Sequence, residues 1–339
     1  MYDQATSGFT RRSAALLLVL LPVGVCASAQ TWLPVRSHNP FLQAFGVPAA
    51  EGAETRLPGE TAFRLSFDIS NHADLDETDS ELAELDGESY FLNFAVRRGL
   101  ANGAEIGLDL PFVAHHGGFL DAPIEHWHDL WGLSNSHREA PRNLLRFGYA
   151  ASDADAFELT SSAGGIGDIR LSVALPLGQS AHGAARFALR AGIELPTGDA
   201  DELLGSGAID WSLSFHADRS LQVAGRELRM SALVGALFPG DSGTLPLAQR
   251  DVVGLAGGAL AWQVTERFSL TGQFNAQSAF YDSRLDVLGG ESVQISVGGG
   301  YDFQRGAVSL TFGLVEDLFD NATTDFALHV GIVSYGGGR

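Results

Sequence analysis

Phe268-Ser269-Leu270-Thr271-Gly272-Gln273-Phe274-Asn275-Ala276-Gln277 decides the fold class. In an extended segment successive side chains point to opposite faces. Phe268, Leu270, Phe274 and Ala276 therefore share one face, and Ser269, Thr271, Gln273, Asn275 and Gln277 share the other. A polar face without charge along its whole length suits a wet lumen better than a dry core.

Similar alternation spreads outward from this segment. It recurs at Phe63, Leu65, Phe67 and Ile69; at Tyr90, Leu92, Phe94 and Val96; and at Ile106, Leu108, Leu110 and Phe112. It returns at Ile169 to Leu175, Phe187 to Ile193 and Ile209 to Phe215, then at Val293 to Val297, Val308 to Leu314 and Phe326 to Ile332, with less regular copies near 226–238 and 250–263. The series predicts an all-β protein: an antiparallel up-and-down transmembrane β-barrel of about 12 strands, with an even strand number. A soluble sandwich would alternate in the same way. The polar opposite faces and the aromatics near segment ends, Tyr90, Trp262, Phe280, Tyr281 and Tyr335, favour the membrane, where such residues form interfacial girdles.

The N-terminus agrees with export. Arg11-Arg12 precedes an apolar run from Ala14 to Val25 and the small residues Ala27-Ser28-Ala29, which predicts a signal peptide over 1–29. Cys26 is the only cysteine of the chain, so the mature protein is expected to have no thiol, disulfide or cysteine-based metal site. The remaining division is a periplasmic N-terminal segment at 30–60 and an outer-membrane barrel at 61–335. Connections alternate between tight turns, at 101–103, 265–267 and 304–306, and longer stretches at 71–87, 114–165, 197–206 and 239–249. Short periplasmic turns and long external loops place both barrel ends in the periplasm of a Gram-negative outer membrane.

With 45% hydrophobic and 18% charged residues, 41 glycines and a formal charge of -20, the chain has the composition of a barrel and no basic patch for nucleic acid. The expected partners are outer-membrane lipid and lipopolysaccharide, the barrel-assembly machinery during insertion, and a small-molecule solute. Acidic runs between strands, at Asp74 to Glu88 and Asp199 to Glu202, read as solvated loops or as a divalent-cation surface.

Loop 114–165 is too long for a plain hairpin connection. Leu120, Ile124, Trp127 and Trp131 follow helical spacing, with Asp121 as a cap, Pro123 in the first turn and Gly132 at the end, so a short amphipathic helix is predicted at about 122–131. Its apolar face would plug the barrel mouth or lie on the outer leaflet. His115, His116, His126, His128 and His137 crowd the same loop, but His126 and His128 point apart on a helix, so no metal and no cofactor is predicted.

Gly117, Gly118, Phe119, Leu120 and Asp121, with Ile124, His128, Gly132-Leu133, Arg138 and Pro141-Arg142-Asn143, resemble the hallmark of an uncharacterised proteobacterial family, the domain-of-unknown-function 3187 family. Asn39-Pro40, Asn71-His72, Asp86-Gly87-Glu88, Glu316-Asp317, Asp325-Phe326 and His329 match it as well. A broader similarity, to outer-membrane barrels described as transporters or phenol-degradation accessory proteins, rests on Gly165-Ile166-Gly167-Asp168, Leu195-Pro196-Thr197-Gly198 and Gly205-Ser206-Gly207. Ser134 to His137 depart from the expected turn of the family loop, and the chain ends on Tyr335 followed by a short tail. The candidate functional residues are therefore Gly117, Gly118, Phe119, Leu120, Asp121, Ile124, Trp127, His128, Trp131 and Arg138.

Three functions compete. A passive channel for small or hydrophobic molecules would use a lumen lined by uncharged polar groups. A structural or surface-interaction barrel would work through its loops. A lipid-modifying enzyme would need a nucleophile and base on the membrane face; Ser214, His216 and His329 instead have lumen parity, and the loop residues Ser134, Ser136 and His137 are too close in sequence for a triad, so the chain is not predicted to be an enzyme.

Overall fold

The computed structural model describes residues 32–132, 141–152, 154–180, 185–245, 247–303, 307–318, 322, 324 and 326–337. The expected signal peptide, the turn at 304–306, Ser134 to His137 and Arg138 lie outside them.

Twelve antiparallel strands close on themselves. They are β1 (Thr61–Glu77), β2 (Glu81–Gly99), β3 (Glu105–His116), β7 (Ile169–Gln179), β8 (Ala185–Leu195), β9 (Asp210–Val223), β10 (Arg226–Phe238), β11 (Val253–Gln263), β12 (Phe268–Gln277), β13 (Ser292–Phe303), β14 (Val308–Asp317) and β15 (Phe326–Gly336). β15 pairs with β1 in register from Thr61 opposite Gly336 to Asn71 opposite Phe326, which leaves the barrel without a free edge. Thr61 and Gly336 lie at the end that carries the short connections.

The alternation read in the sequence becomes an outside and an inside. Leu65, Phe67, Leu92, Phe94, Leu270, Phe274, Val330 and Ile332 are exposed, while Ser66, Asp68, Asn93, Ser269, Thr271, Gln273 and His329 between them are buried. An apolar exterior around a polar interior is the reverse of a water-soluble fold and fits strands that face lipid. Trp262 and Trp211 also stand on the outside. Phe280 and Tyr281 do not join a girdle: both are fully buried at the outer mouth. The ring of Tyr335 lies under the Arg56 guanidinium, 5.4 Å away, instead of facing lipid.

The acidic stretch 71–87, expected as a loop, is a continuation of β1 and β2 around the short turn 78–80. These strands run to 17 and 19 residues, beyond the roughly 9–11 needed to cross a bilayer. Three strands within loop 114–165 support the extension. β4 (Arg146–Ala151) pairs with the outer end of β2, β5 (Ala154–Leu159) pairs with β4, and β6 (Ala163–Ile166) pairs with the outer end of β3. Ala83, Leu85, Phe147, Tyr149 and Leu159 are buried there, so inward apolar residues outweigh the acidic composition that suggested a loop.

The segment at 30–60 differs most from expectation. Its described part, from Trp32, lies inside the barrel. The chain passes Gln273 at Leu33, reaches the mouth at the long-loop end, here called outer, at the short helix α1 (Pro40–Gln43), and returns past Asp210 and Asp218 to the rim of short connections before β1. Trp32, Leu33, Val35, Phe41, Leu42 and Phe45 are all buried. Apolar side chains of this size would each forgo ~1.5–3 kcal/mol if left in water.

Candidate functional site

The residues singled out in the second loop form a clasp on the outside of the wall. The hinge of the clasp is Glu88, which is fully buried although it lies in β2 near the outer end. Its Oε1 accepts from the Phe119 and Leu120 amides at 2.6 and 2.5 Å, and its Oε2 accepts from the Tyr90 hydroxyl at 2.6 Å. Gly118 has φ +73°, and a Cβ there would sit inside the Glu88 carboxylate; one on Gly117 would meet the Asn143 carbonyl. Asp121 accepts from the Asn71 side chain at 3.0 Å and from the Asn143 amide at 2.7 Å. The scattered motifs at 71–72, 86–88, 117–121 and 141–143 thus meet at one point, which holds the loop to the wall.

Helix α2 (Asp121–Trp131) follows, close to the predicted span, and Gly132 ends it at φ +69°. Leu120 and Ile124 are buried, but Trp127 is 56% exposed and Leu130 67%. Of the expected apolar face, Trp127 therefore faces outward, and the mouth is closed by other residues. The side chains of His128 and Trp131 lie outside the described set, as does Arg138. The Arg142 guanidinium pairs with Glu125 on the exposed side of the helix. Among the described residues no group of three or more His, Cys, Asp or Glu side chains could hold a metal ion.

A second clasp uses the other motif set. Asp168, buried between β6 and β7, accepts from the amides of Thr197, Gly198 and Ser206 at 2.8, 2.7 and 2.8 Å. A Cβ on Gly205 would enter the Asp168 carboxylate, and one on Gly198 would meet the Leu204 carbonyl. Loop 196–209 folds inward as a result, and Leu203 joins the buried apolar cap over the mouth. In both clasps the glycines bring backbone within reach of a carboxylate.

The chemistry lies in the lumen. Sequence reasoning placed Ser214, His216 and His329 there correctly, but expected an uncharged wall. The wall from β11 to β13 is uncharged, as Gln273, Gln277, Gln294 and Ser296 illustrate, except for Asp302 at its short-connection end, which accepts from the Ser309 hydroxyl. The opposite wall carries Arg64, Arg97, Glu105, Asp109, Arg170, Arg190, Glu194, Asp210 and Asp218. Charged residues are sparse within each strand and gather only when the barrel closes.

The N-terminal segment is bound to this wall as a ligand would be. Gln273 donates to the Leu33 carbonyl at 3.1 Å and accepts its amide at 2.7 Å. Arg170 donates to the Gly46 carbonyl at 2.5 Å, and Asp210 accepts the Gly46 amide at 3.1 Å. Asp218 accepts the Ala53 amide at 2.7 Å, while Glu105 accepts the Arg56 amide at 2.9 Å. Glu51 is the centre: Arg97 Nη2 donates to its Oε1 at 2.8 Å, Arg190 Nη1 to its Oε2 at 2.9 Å, and Arg64 lies 3.5 Å away. Burial pushes the Glu51 carboxyl up, but the three guanidiniums outweigh burial and hold it well below the ordinary glutamate range.

Above this segment Phe41, Leu42 and Phe45 pack with Phe147, Tyr149, Leu237, Leu245, Phe280, Tyr281 and Leu288. Phe45 stacks on Phe280 at 5.2 Å between ring centroids. Beside Glu51 a cavity of about 60 Å³ remains. The path through the barrel is therefore filled by the chain's own first described residues.

Hydroxyl–imidazole contacts lie against the plugged interior in three places, the first a chain from Ser70 through His72 and Ser89 to His115 with steps of 3.3, 3.2 and 2.9 Å. Ser214 Oγ is 2.7 Å from His216 Nε2, whose Nδ1 faces the Glu51 carbonyl at 2.9 Å. His329 stands between Asp68 at 2.6 Å and Thr311 at 3.1 Å. His216 and His329 are buried, with their ring nitrogens engaged by wall and plug, so these contacts tie strands and segment together.

The family model described as "Protein of unknown function (DUF3187)" matches residues 10–336. Among curated proteins none matches. Of solved structures, the COG4313 outer membrane channel from Pseudomonas putida F1 aligns over 85% of this chain and 99% of its own at 16% identity, with a TM-score of 0.53. The NanC porin covers 81% of this chain and 98% of its own at 8% identity and TM-score 0.44. The Ralstonia pickettii toluene transporter TbuX covers 84% and 90% at 10% identity and TM-score 0.36. At these identities the likeness bears on the fold alone, and only the first has a TM-score above 0.5.

Proposed function

The chain belongs to the DUF3187 family, and we propose that it is a passive channel of a Gram-negative outer membrane, closed at rest by its own N-terminal segment and meant for small amphipathic or hydrophobic molecules. The observation that carries the reading is how the lumen is filled. A barrel stabilised only as a scaffold could be packed with apolar side chains, as closed β-barrels of small diameter are. Here the wall presents charges and amides, and a single continuous segment occupies them through separable hydrogen bonds and ion pairs. Moving that one segment would uncover a polar path without breaking the strand ladder.

Outer-membrane lipid and lipopolysaccharide would meet the exposed Phe119, Trp127 and Leu130 at the outer rim, and the barrel-assembly machinery would insert the chain. Enzymatic chemistry is disfavoured because the described serine–histidine contacts lie in the plugged interior and not on the lipid face. The structural reading has one observation of its own, the apolar cap of Phe41, Phe45 and their neighbours, which closes the mouth tightly.

Planar-bilayer recordings of the folded full chain and of a chain lacking residues 32–47 test the proposal. The full chain is expected to be mostly silent and the shortened one to show steady conductance steps. A shortened barrel that folds, as judged by heat-modifiable migration, and yet never conducts would favour the structural reading.

A further inference from the structure

Glu51 is the plug's strongest polar anchor, and it differs from the others in kind. The plug offers mostly backbone groups to the wall, whereas Glu51 offers a free carboxylate to three arginines from three strands: Arg64 of β1, Arg97 of β2 and Arg190 of β8. Arg97 approaches side-on, with Nε at 3.1 Å and Nη2 at 2.8 Å from one oxygen, and Arg190 takes the other oxygen at 2.9 Å. Planar guanidiniums in this arrangement match a planar carboxylate.

The charges count the same way. Within the wall, Arg97 is also paired with Asp109 at 2.9 Å and Arg190 with Glu105 at 3.0 Å. Arg64 has no wall carboxylate of its own among the described residues, so without the plug its guanidinium would stand unpaired beside the other two. The Arg64 Nε is buried without a hydrogen-bond partner even when Glu51 is present. The space beside Glu51 is walled on another side by Leu233 and Leu255. A carboxylate holder with an apolar wall beside it fits a small organic acid better than an inorganic anion.

We propose that Glu51 stands in for a solute carboxylate, and that Arg64, Arg97 and Arg190 form the binding site for a small amphipathic monocarboxylate that takes its place when the plug is released. This rests on the channel reading and names its substrate class. A tethered Glu51 competes at an effective concentration of order mM, so solute binding to the wild-type chain is weak and sensitive to this one residue.

Equilibrium binding of benzoate to the full chain in detergent micelles tests it. Glu51→Ala and the near-isosteric Glu51→Gln are compared with wild type, and folding is checked by heat-modifiable migration. Benzoate is expected to bind a folded Glu51 variant at least tenfold more tightly than wild type, to be displaced by octanoate, and to be lost again when Arg97→Met is added. Benzyl alcohol should not compete. Equal binding by wild type and a folded variant, retention after Arg97→Met, or displacement by phosphate as effective as by octanoate would overturn the site. The measurement reads no flux, so benzoate binding by a barrel that never conducts would support this site while contradicting the channel.

Discussion

Gln273 and Leu33 are bound twice, side-chain amide to backbone, with 3.1 Å between Gln273 Nε2 and the Leu33 carbonyl and 2.7 Å between the Leu33 amide and Gln273 Oε1. A strand side chain thus pairs with the plug as a neighbouring strand would. Gln273→Ala would leave both Leu33 groups buried and unpaired, a cost of ~1–3 kcal/mol for each. The expected result is faster hydrogen exchange at Leu33 and more frequent channel openings, with the strand amides of β12 unchanged. Exchange at Leu33 as slow as in wild type would show that the pairing does not hold the plug.

The clasp predicts a local failure. Gly118→Ala places a methyl group in the Glu88 carboxylate at a positive φ, and Glu88→Gln replaces an acceptor of three donors with an amide. Backbone strain of this sort costs ~1–3 kcal/mol before the clash is added. Limited proteolysis should cut the loop around α2 in either variant while the barrel keeps its heat-modifiable migration. Protection equal to wild type would contradict the clasp.

Phe45 carries the cap. Phe45→Ala removes the ring that stacks on Phe280 and meets Tyr281, a loss of ~3–5 kcal/mol for a buried phenylalanine. The cap is separate from the strand ladder, so the expected signature is brief openings in bilayer recordings with little change in barrel melting. A barrel that melts far earlier but stays closed would show that the cap supports the fold instead of the gate.

The plug should also respond to pH through His38. Burial holds the His38 imidazole below its ordinary pKa, against the pull of Asp68 and Gln43, with Arg36 and His329 lowering it further. A released His38 in water would titrate near ~6.5. Below that pH the released state takes up a proton that the plugged state refuses, so acid favours release. Glu51 acts in the same direction only below its ordinary ~4.3, because its carboxyl is depressed in the plugged state. Open probability is expected to rise more between pH 7.5 and 5.5 in wild type than in His38→Asn. Superimposable profiles for the two would contradict the assignment.

The barrel was legible in the sequence because its code is local. Phe268 to Gln277 shows its two faces within ten residues, and the membrane enforces that period in every strand. The helix of the second loop was legible for the same reason, from Asp121 to Gly132. What escaped depends on closure. Arg64, Arg97 and Arg190 are 33 and 93 positions apart in sequence, and nothing near any of them announces Glu51. One signal was present. Trp32, Leu33, Val35, Phe41, Leu42 and Phe45 form a stretch too apolar for a segment left in the periplasm, and no strand was available to pair it. The motifs drew attention to the second loop, but there they specify glycine and carboxylate geometry that attaches a loop to a wall.

The central claim is that the N-terminal segment closes the channel, and a cross-link tests it most directly. A Cβ on Gly46 would lie 3.2 Å from that of Asp210, close to the roughly 3.5–4.5 Å spanned by a disulfide. After Ala29 the chain has no other cysteine to interfere. Gly46→Cys with Asp210→Cys is expected to be silent in planar bilayers when oxidised and to open on reduction at least as often as wild type. Equal conductance from the oxidised and reduced forms, with the cross-link verified by mass, would contradict the account.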